Sequence, residues 1–355
     1  MGLALLLLGG CSGGETVLGE RDGGTDADAE DVERDEGGDG GDSEAAADAC
    51  VPNCEGRECG DDGCGGTCPP GCSDGEVCRT PPGECVAARG WVEVPPPPRP
   101  SGAMAYDSGR SVLVLFGGTP DAGDYPADTW EFDGTTWTEV APTVSPSGRS
   151  GAAMAYDRTR GVVVLFGGVG ADGTLADTWE YDGTNWREIV TTVSPTGRRE
   201  CMMTCDVDRG VVVLFGGIGA EGMLADTWEY DGTDWSEISP TTSPPARTDG
   251  AMVYDEARSV VMLLGGRGAH DLNDAWEYDG TTWSPVGVPV DESPGRRGAA
   301  MAYDSSRGVI VLFGGSHFGG SGELFYGDTW EYDGAAWTQV ATSREPPARC
   351  HHAMW

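Results

Sequence analysis

Lysine is absent from all 355 residues, so the 22 basic residues are arginines, set against 59 Asp and Glu for a formal charge of −37. A chain with this balance has no basic face for phosphates, which excludes a nucleic-acid binder working by general phosphate attraction. Histidine is scarce: His270, His317, His351 and His352 are the only four. No apolar run approaches the roughly 20 residues that a membrane-spanning helix needs. Residues 12–49 hold no aromatic side chain, and cysteine is missing between Cys85 and Cys201. These gaps divide the chain into unlike parts.

What is present is equally uneven. Gly 58 and Pro 23 are high enough to raise suspicion of disorder, yet 12 Trp argue for a packed fold. Residues 12–49 carry 14 acids and 2 Arg among small polar residues. Such a stretch cannot bury enough apolar surface to offset its conformational entropy, so it is expected to be a solvated, self-repelling tether. It shows no EF-hand order of calcium ligands.

Before the tether, Gly2 to Gly10 form a short apolar run ending in Leu8-Gly9-Gly10-Cys11. That run reads as the hydrophobic part of an export signal, the alternative being a plain secretory leader with an incidental cysteine. Leu-Gly-Gly-Cys resembles the lipobox of bacterial lipoproteins, a resemblance that implies lipidation at Cys11 and, with Ser12 following, the outer membrane facing outward. Several acyl chains at about 0.8 kcal/mol per buried methylene make a firm anchor. No basic residue precedes the apolar run, which departs from that pattern.

Eight cysteines, Cys50, Cys54, Cys59, Cys64, Cys68, Cys72, Cys78 and Cys85, follow with almost no large apolar residue among them. A segment this small needs covalent staples, and an even count beyond an export signal suggests four disulfides, whose pairing the sequence leaves open. Zinc is the rival, but the run has no Cys-x-x-Cys pair and no nearby histidine. The run from Cys59 to Cys68 is similar to cysteine-rich segments of some bacterial surface proteins. We expect domains at 1–11 (signal and lipobox), 12–49 (tether), 50–85 (disulfide module), 86–98 (Pro-rich linker with one stray strand) and 99–355.

The last region repeats itself. Paired tryptophans recur as Trp130/Trp137, Trp179/Trp186, Trp228/Trp235, Trp276/Trp283 and Trp330/Trp337, each pair preceded by a β-branched run ending in Gly-Gly. A period near 50 with four short strands per unit indicates a β-propeller. The Gly-Gly and spaced aromatics resemble the Kelch repeat of galactose oxidase-like domains. In the second copy, strand A is expected over Ser150 to Tyr156, B over Gly161 to Phe166, C over Asp177 to Tyr181 and D over Trp186 to Ile189. Met104, Met154, Met203, Met252, Met301 and Met354 share one position in strand A; packing between blades explains them better than a soft-metal ring. Each tryptophan buries on the order of 200 Å², worth about 5 kcal/mol gross at about 25 cal/mol per Å².

The ends carry partial copies. Trp91-Val-Glu-Val94 matches strand D, and Arg349 to Trp355 matches the beginning of strand A. The fold expected is therefore all-β, with five complete four-stranded blades plus parts of a sixth, lacking its B and C strands. Truncation by about 30 residues would account for this, judged from the repeat spacing; the alternative is a five-bladed ring with stray end strands.

Every copy opens on an arginine: Arg99, Arg149, Arg198, Arg247, Arg296 and, in the partial one, Arg349. The D–A loops carrying them and the variable B–C loops should share one face, the usual place for recognition on a repeated scaffold. The arginines could clamp an acidic ligand, or each could pair with an acid such as Glu131, Glu180 or Glu229. The longest B–C loop, Ser316–Gly327, adds His317, Phe318, Phe325 and Tyr326 as contact candidates.

Likeness to the copper radical oxidases implies two tyrosines, two histidines and a thioether cysteine around copper, a set the chain does not assemble. No nucleophile–base–acid motif and no phosphate loop occur. No cofactor or metal is expected, and Cys201, Cys205 and Cys350 are left unassigned. We expect a monomeric, non-enzymatic surface module that binds a protein or a glycan and meets the membrane only through its lipid. The alternatives are a carbohydrate-modifying oxidase or isomerase on the same ring, and a purely structural envelope protein.

Overall fold

The computed structural model describes residues 100–119, 123–288, 295–319, 322–340 and 346–355, together with the backbone of Ala4–Leu6, Glu76–Arg79, Glu84–Ala87 and Val92–Val94. Cys11, the tether, Cys50 to Cys72, the polyproline run and Arg99 lie outside the described residues. Two units separate: Gly14–Arg89, and Met1–Gly13 with Gly90–Trp355. In the first, Glu76–Arg79 and Glu84–Ala87 form an antiparallel hairpin that sets Cys78 in register with Cys85.

The second unit is an all-β propeller with five four-stranded antiparallel blades, each strand paired with its sequence neighbour. In the second blade the strands are Ala153–Asp157 (A), Val162–Phe166 (B), Thr178–Tyr181 (C) and Trp186–Ile189 (D). Strand B is fully buried from Val163 to Phe166. A continuous Val/Leu run suits a strand covered on both faces, where alternating polar residues would be stranded.

Strands A, B and C start later than the sequence suggests. Gly151 has φ +62, which ends extended structure before Ala153, and Ser150 bridges to Val169 across the B–C loop instead. Three of the B–C loops are not irregular but form small hairpins: Val169–Gly170 with Gly173–Thr174, Ile218–Gly219 with Gly222–Met223, and Ser316–Gly319 with Gly322–Phe325.

Blades join face to face. Ala103, Ala105, Val114 and Phe116 of the first blade pack against Met154, Leu165 and Trp186 of the second. Strand-A methionines sit in these joints: Met154 clusters with Ala103 and Ala105, Met203 with Ala155, and Met301 with Ala251, each alanine in the preceding strand A. Hydrogen bonds fix the register of the joint. Nε1 of Trp186 donates to Thr129 at 2.9 Å, Trp235 to Thr178 at 2.9 Å and Trp283 to Thr227 at 3.0 Å, each reaching back one blade.

A sixth sheet has three strands, Ala353–Met354, Ala4–Leu6 and Val92–Val94, the last two running parallel. Strands from both ends of the sequence were expected here. The apolar Ala4–Leu6 segment, read from sequence only as an export leader, supplies the middle strand; a short leucine-rich run has no feature that forbids pairing.

Candidate ligand-binding site

The face formed by the D–A and B–C loops is built on the repeated arginines. Arg149, Arg198 and Arg247 are at most 1% exposed and Arg296 is 5% exposed. Each guanidinium meets the aspartate that opens strand C of its own blade. Arg149 reaches Asp177 at 2.6 and 2.8 Å, and Arg198 reaches Asp226 at the same two distances. Arg247 reaches Asp274 at 2.6 and 2.7 Å, and Arg296 reaches Asp328 at 3.1 and 3.0 Å. Burial raises the Asp177, Asp226 and Asp328 carboxyls, but the arginine bonds and charges outweigh it and hold them below the usual range.

These four side chains are committed to the scaffold and are not open to a ligand, which corrects the clamp expectation. The partner differs from the glutamates suggested by the sequence as well. Glu131, Glu180 and Glu229 instead serve the next joint: each accepts from a tyrosine one blade on, Tyr181 at 3.0 Å, Tyr230 at 2.9 Å and Tyr278 at 2.7 Å. The backbone carbonyl of each opening arginine also accepts from the second glycine of the preceding blade, as in Gly168 to Arg198 at 2.8 Å and Gly315 to Arg349 at 2.8 Å.

Two residues beyond each arginine the chain turns left-handed. Ser101, Gly151, Glu200, Asp249, Gly298 and His351 have φ between 53 and 62°. Backbone bonds link neighbours around the axis: Gly151 to Ser101, Glu200 to Gly151, Gly298 to Asp249 and His351 to Gly298. Three of the six positions thus place a charged or titratable side chain at the rim of the central channel, over a cavity of about 300 Å³ lined by Glu200, Asp249, His351, His352 and the strand-A methionines.

Electrostatics there are tightly coupled. His351 Nε2 lies 3.5 Å from Asp249 Oδ1 and its Nδ1 3.1 Å from Cys350 Sγ. Asp249 first and Cys350 second raise the imidazole to about 11, against the opposing effect of burial. Glu200 is pushed up by burial and then by Asp249, while Arg199, 3.5 Å away, pulls it down. His352, 7% exposed, is driven down to about 3 by burial, with the charges of Arg349 and His351 adding to it.

The Ser316–Phe325 hairpin stands beside this rim. His317 Nδ1 lies 3.2 Å from Asp271, and the Phe318 amide donates to the same carboxylate at 2.7 Å. Arg297 bonds Glu323 at 3.1 Å and passes 6.0 Å from the Phe318 ring. Tyr326 is stacked on Arg296, 4.4 Å from its guanidinium carbon, so it belongs to the scaffold. Phe325 is half-buried opposite Ser316. Phe318 (63% exposed) and, unforeseen, Leu324 (54%) project into solvent. Of the aromatic candidates, Phe318 is the accessible one.

Glu200, Asp249 and Asp271 were not foreseen. The signal for the first two was available: two residues past the opening arginine, the other three complete blades use Ser or Gly and these use acids. Elsewhere, burial raises the Cys201 and Cys205 thiols to about 12 each, which makes them packing residues rather than nucleophiles. No helix among the described residues is long and apolar enough to cross a membrane, and no group of three or more His, Cys, Asp or Glu there could hold a metal.

Residues 84–245 match the KLHDC2/KLHL20/DRC7 Kelch-repeats domain, a span that covers the first three blades. Among solved structures, that of YjhT superposes with a TM-score of 0.57 at 17% identity, covering 73% of this chain and 87% of that one. At this identity the likeness is one of fold. No curated protein matches. The chain carries Kelch-type repeats folded as a β-propeller.

Proposed function

We propose that the protein is a non-enzymatic recognition module of a bacterial cell surface that binds a protein or a glycan on the D–A/B–C face; where Cys11 carries the lipid, cleavage before it removes Ala4–Leu6, and the anchored chain holds its ring without that strand. The observation that carries this reading is the contrast within that face. Its opening arginines are buried and spent on their own blades, so the frame is rigid, while the Ser316–Phe325 hairpin holds Phe318 63% exposed beside the channel rim. An exposed aromatic on a pinned hairpin costs little ordering entropy when a partner covers it. Kelch propellers commonly serve as interaction modules, which supports the same reading.

The test is capture of envelope proteins and of an immobilised glycan set by the wild-type chain and by Phe318→Asp. Binding by the wild type that drops about tenfold or more in the variant is expected, since truncating a hot-spot residue costs upward of about 2 kcal/mol. If the wild type captures neither class, the reading fails.

A further inference from the structure

We propose that the A–B turn end of the axial channel binds a small methylated ammonium ion, with aromatic rings as its walls and Glu256 as its counter-charge. A cavity of about 300 Å³ lies there, lined by Tyr106, Tyr156, Tyr254, Tyr303 and Trp355. That volume is at the lower end for small-molecule sites. The strand-A methionines from Met154 to Met354 line both this cavity and the one beneath Glu200, so thioethers form the floor between the two. The site lies away from the D–A/B–C face and does not rest on the recognition reading.

The walls offer ring carbon more than hydroxyl. Three of the tyrosines turn their hydroxyls to the A–B turn of the preceding blade. Tyr254 donates to Asp208 at 2.8 Å, Tyr303 accepts from the Ala257 amide at 3.0 Å, and Tyr156 bonds Asp107. Tyr106 stacks on Trp355, with ring centroids 6.5 Å apart. Hydroxyls already spent make a poor site for a polyol, whereas aromatic rings attract an organic cation through their π-electrons.

Charge favours the same ligand. Arg110, Arg160, Arg209, Arg258 and Arg307 in the A–B turns each contact two carboxylates, the aspartate three residues before and the strand-C glutamate of the same blade. One arginine against two acids leaves each turn net negative, except in the second blade, where Arg187 also meets Glu180. A cleft surrounded by one sign of charge concentrates the opposite ion. Within the lining, Glu256 is the single carboxylate, and Arg158 reaches it at 2.8 Å across the mouth from two blades away. Arg158 is 52% exposed, and such exposed pairs are weak. An ammonium ion can therefore take its place on Glu256 while water receives the guanidinium. No group of three or more His, Cys, Asp or Glu among the described residues could hold a metal, so rings rather than ligating oxygens must stabilise the cation.

The methionines also provide the readout. Choline, tetramethylammonium and the uncharged isostere of choline, with carbon in place of nitrogen, are titrated at low salt into ε-methyl-labelled protein. Either ammonium ion is expected to shift the methyls of Met154, Met203, Met252 and Met301 and the Trp355 indole. Met104 and Met202, which line only the other cavity, should stay still. The isostere should bind about tenfold more weakly, since it keeps the shape and loses the charge. Glu256→Gln should lower choline affinity about tenfold. Arg158→Gln removes the competing cation and should raise that affinity, by up to about fivefold.

Methyls unmoved by both ammonium ions, an isostere that binds as tightly as choline, or a loss of affinity in Arg158→Gln would each overturn the proposal. So would shifts confined to Met104 and Met202. Phosphocholine in a parallel arm separates the sources: tighter binding than choline identifies a headgroup, and weaker binding a free solute. Capture through Phe318 is measured independently, so silent methyls beside a Phe318-dependent partner would sink this site and leave the recognition reading intact.

Discussion

At the scale of single residues, the arginines decide most. Asp226→Ala would leave the Arg198 guanidinium at 0% exposure with its charge uncompensated, a loss that costs about 3–5 kcal/mol in comparable pairs. Replacing both residues with leucine should recover part of that, because two charges then stay out of the interior. Urea unfolding of Asp226→Leu, Arg198→Leu and the double variant measures the coupling, and additive losses would mean the pair is not the unit described. His352 gives a pH prediction. Its folded-state value is depressed to about 3 from 6.5, chiefly by burial, so the neutral ring contributes stability above pH 6.5. That contribution is lost as pH falls through the window toward 3, because the unfolded chain takes up a proton the folded one refuses. The imidazole packs edge-on against Phe313 at 5.3 Å, and His352→Phe should keep the contact while flattening the stability profile between those pH values. A variant that tracks the wild type throughout that range would exclude His352 as the cause. The sequence made these arginines conspicuous by repetition but could not name their partner, since Asp177 lies 28 residues from Arg149 and is joined to it only through strand pairing.

Among the structural elements, the Gly-Gly that ends each strand B is the clearest case of local chemistry imposed by a joint. Gly167 has φ +68, and a Cβ there would stand 2.5 Å from the Arg198 carbonyl of the next blade. Gly161, in the A–B turn, has nearly the same dihedral (φ +69) with nothing within 4 Å of a Cβ. Gly161→Ala should therefore cost only the left-handed strain of about 1–2 kcal/mol. Gly167→Ala should cost clearly more, because backbone that already accepts the Gly168 N–H must also move. Thermal unfolding of the two variants side by side separates conformation from clash; equal losses would refute the clash. This pattern was legible, as were the D strands and the Asp-Gly turns, because each recurs in every copy and its cause is local. Strand A was less so. Its apparent start at Ser150 looks extended, but the φ of Gly151 is set by the loop-to-loop ring around the channel, a relation between blades that no single repeat contains. The Glu200, Asp249 and His351 cluster was hidden for the same reason: the three lie in different copies and meet only when the ring forms.

For the whole molecule, stability should follow the joints, since each blade of a repeat protein gains most from its immediate neighbours. The joints are not equal. Those from the first blade to the fourth each carry a Trp–Thr bond and a Tyr–Glu bond across the interface. Between the fourth and fifth blades Ala275 stands where the others have threonine, and Trp337 turns to the Gly287 carbonyl at 3.0 Å. Where the sixth sheet meets the first blade the pattern lapses further. Phe132 occupies the tyrosine position and has no hydroxyl to offer, and Nε1 of Trp137 is buried without a partner. Trp355, whose ring centroid lies 6.4 Å from that of Phe132 and 6.5 Å from that of Tyr106, contributes packing there but no hydrogen bond equivalent to the missing two. An unpaired buried indole N–H alone forfeits about 1–3 kcal/mol. The seam is thus the place where the ring should open first, through sub-global motion rather than complete unfolding. Amide hydrogen exchange can resolve this. The outer strands of the first blade, Thr129–Phe132 and Trp137–Val140, should exchange at least about tenfold faster than their counterparts in the third, Thr227–Tyr230 and Trp235–Ile238, whose joints are complete on both sides. Equal protection in the two blades would mean that ring closure spreads the stabilisation evenly and that the missing bonds at the seam do not govern opening.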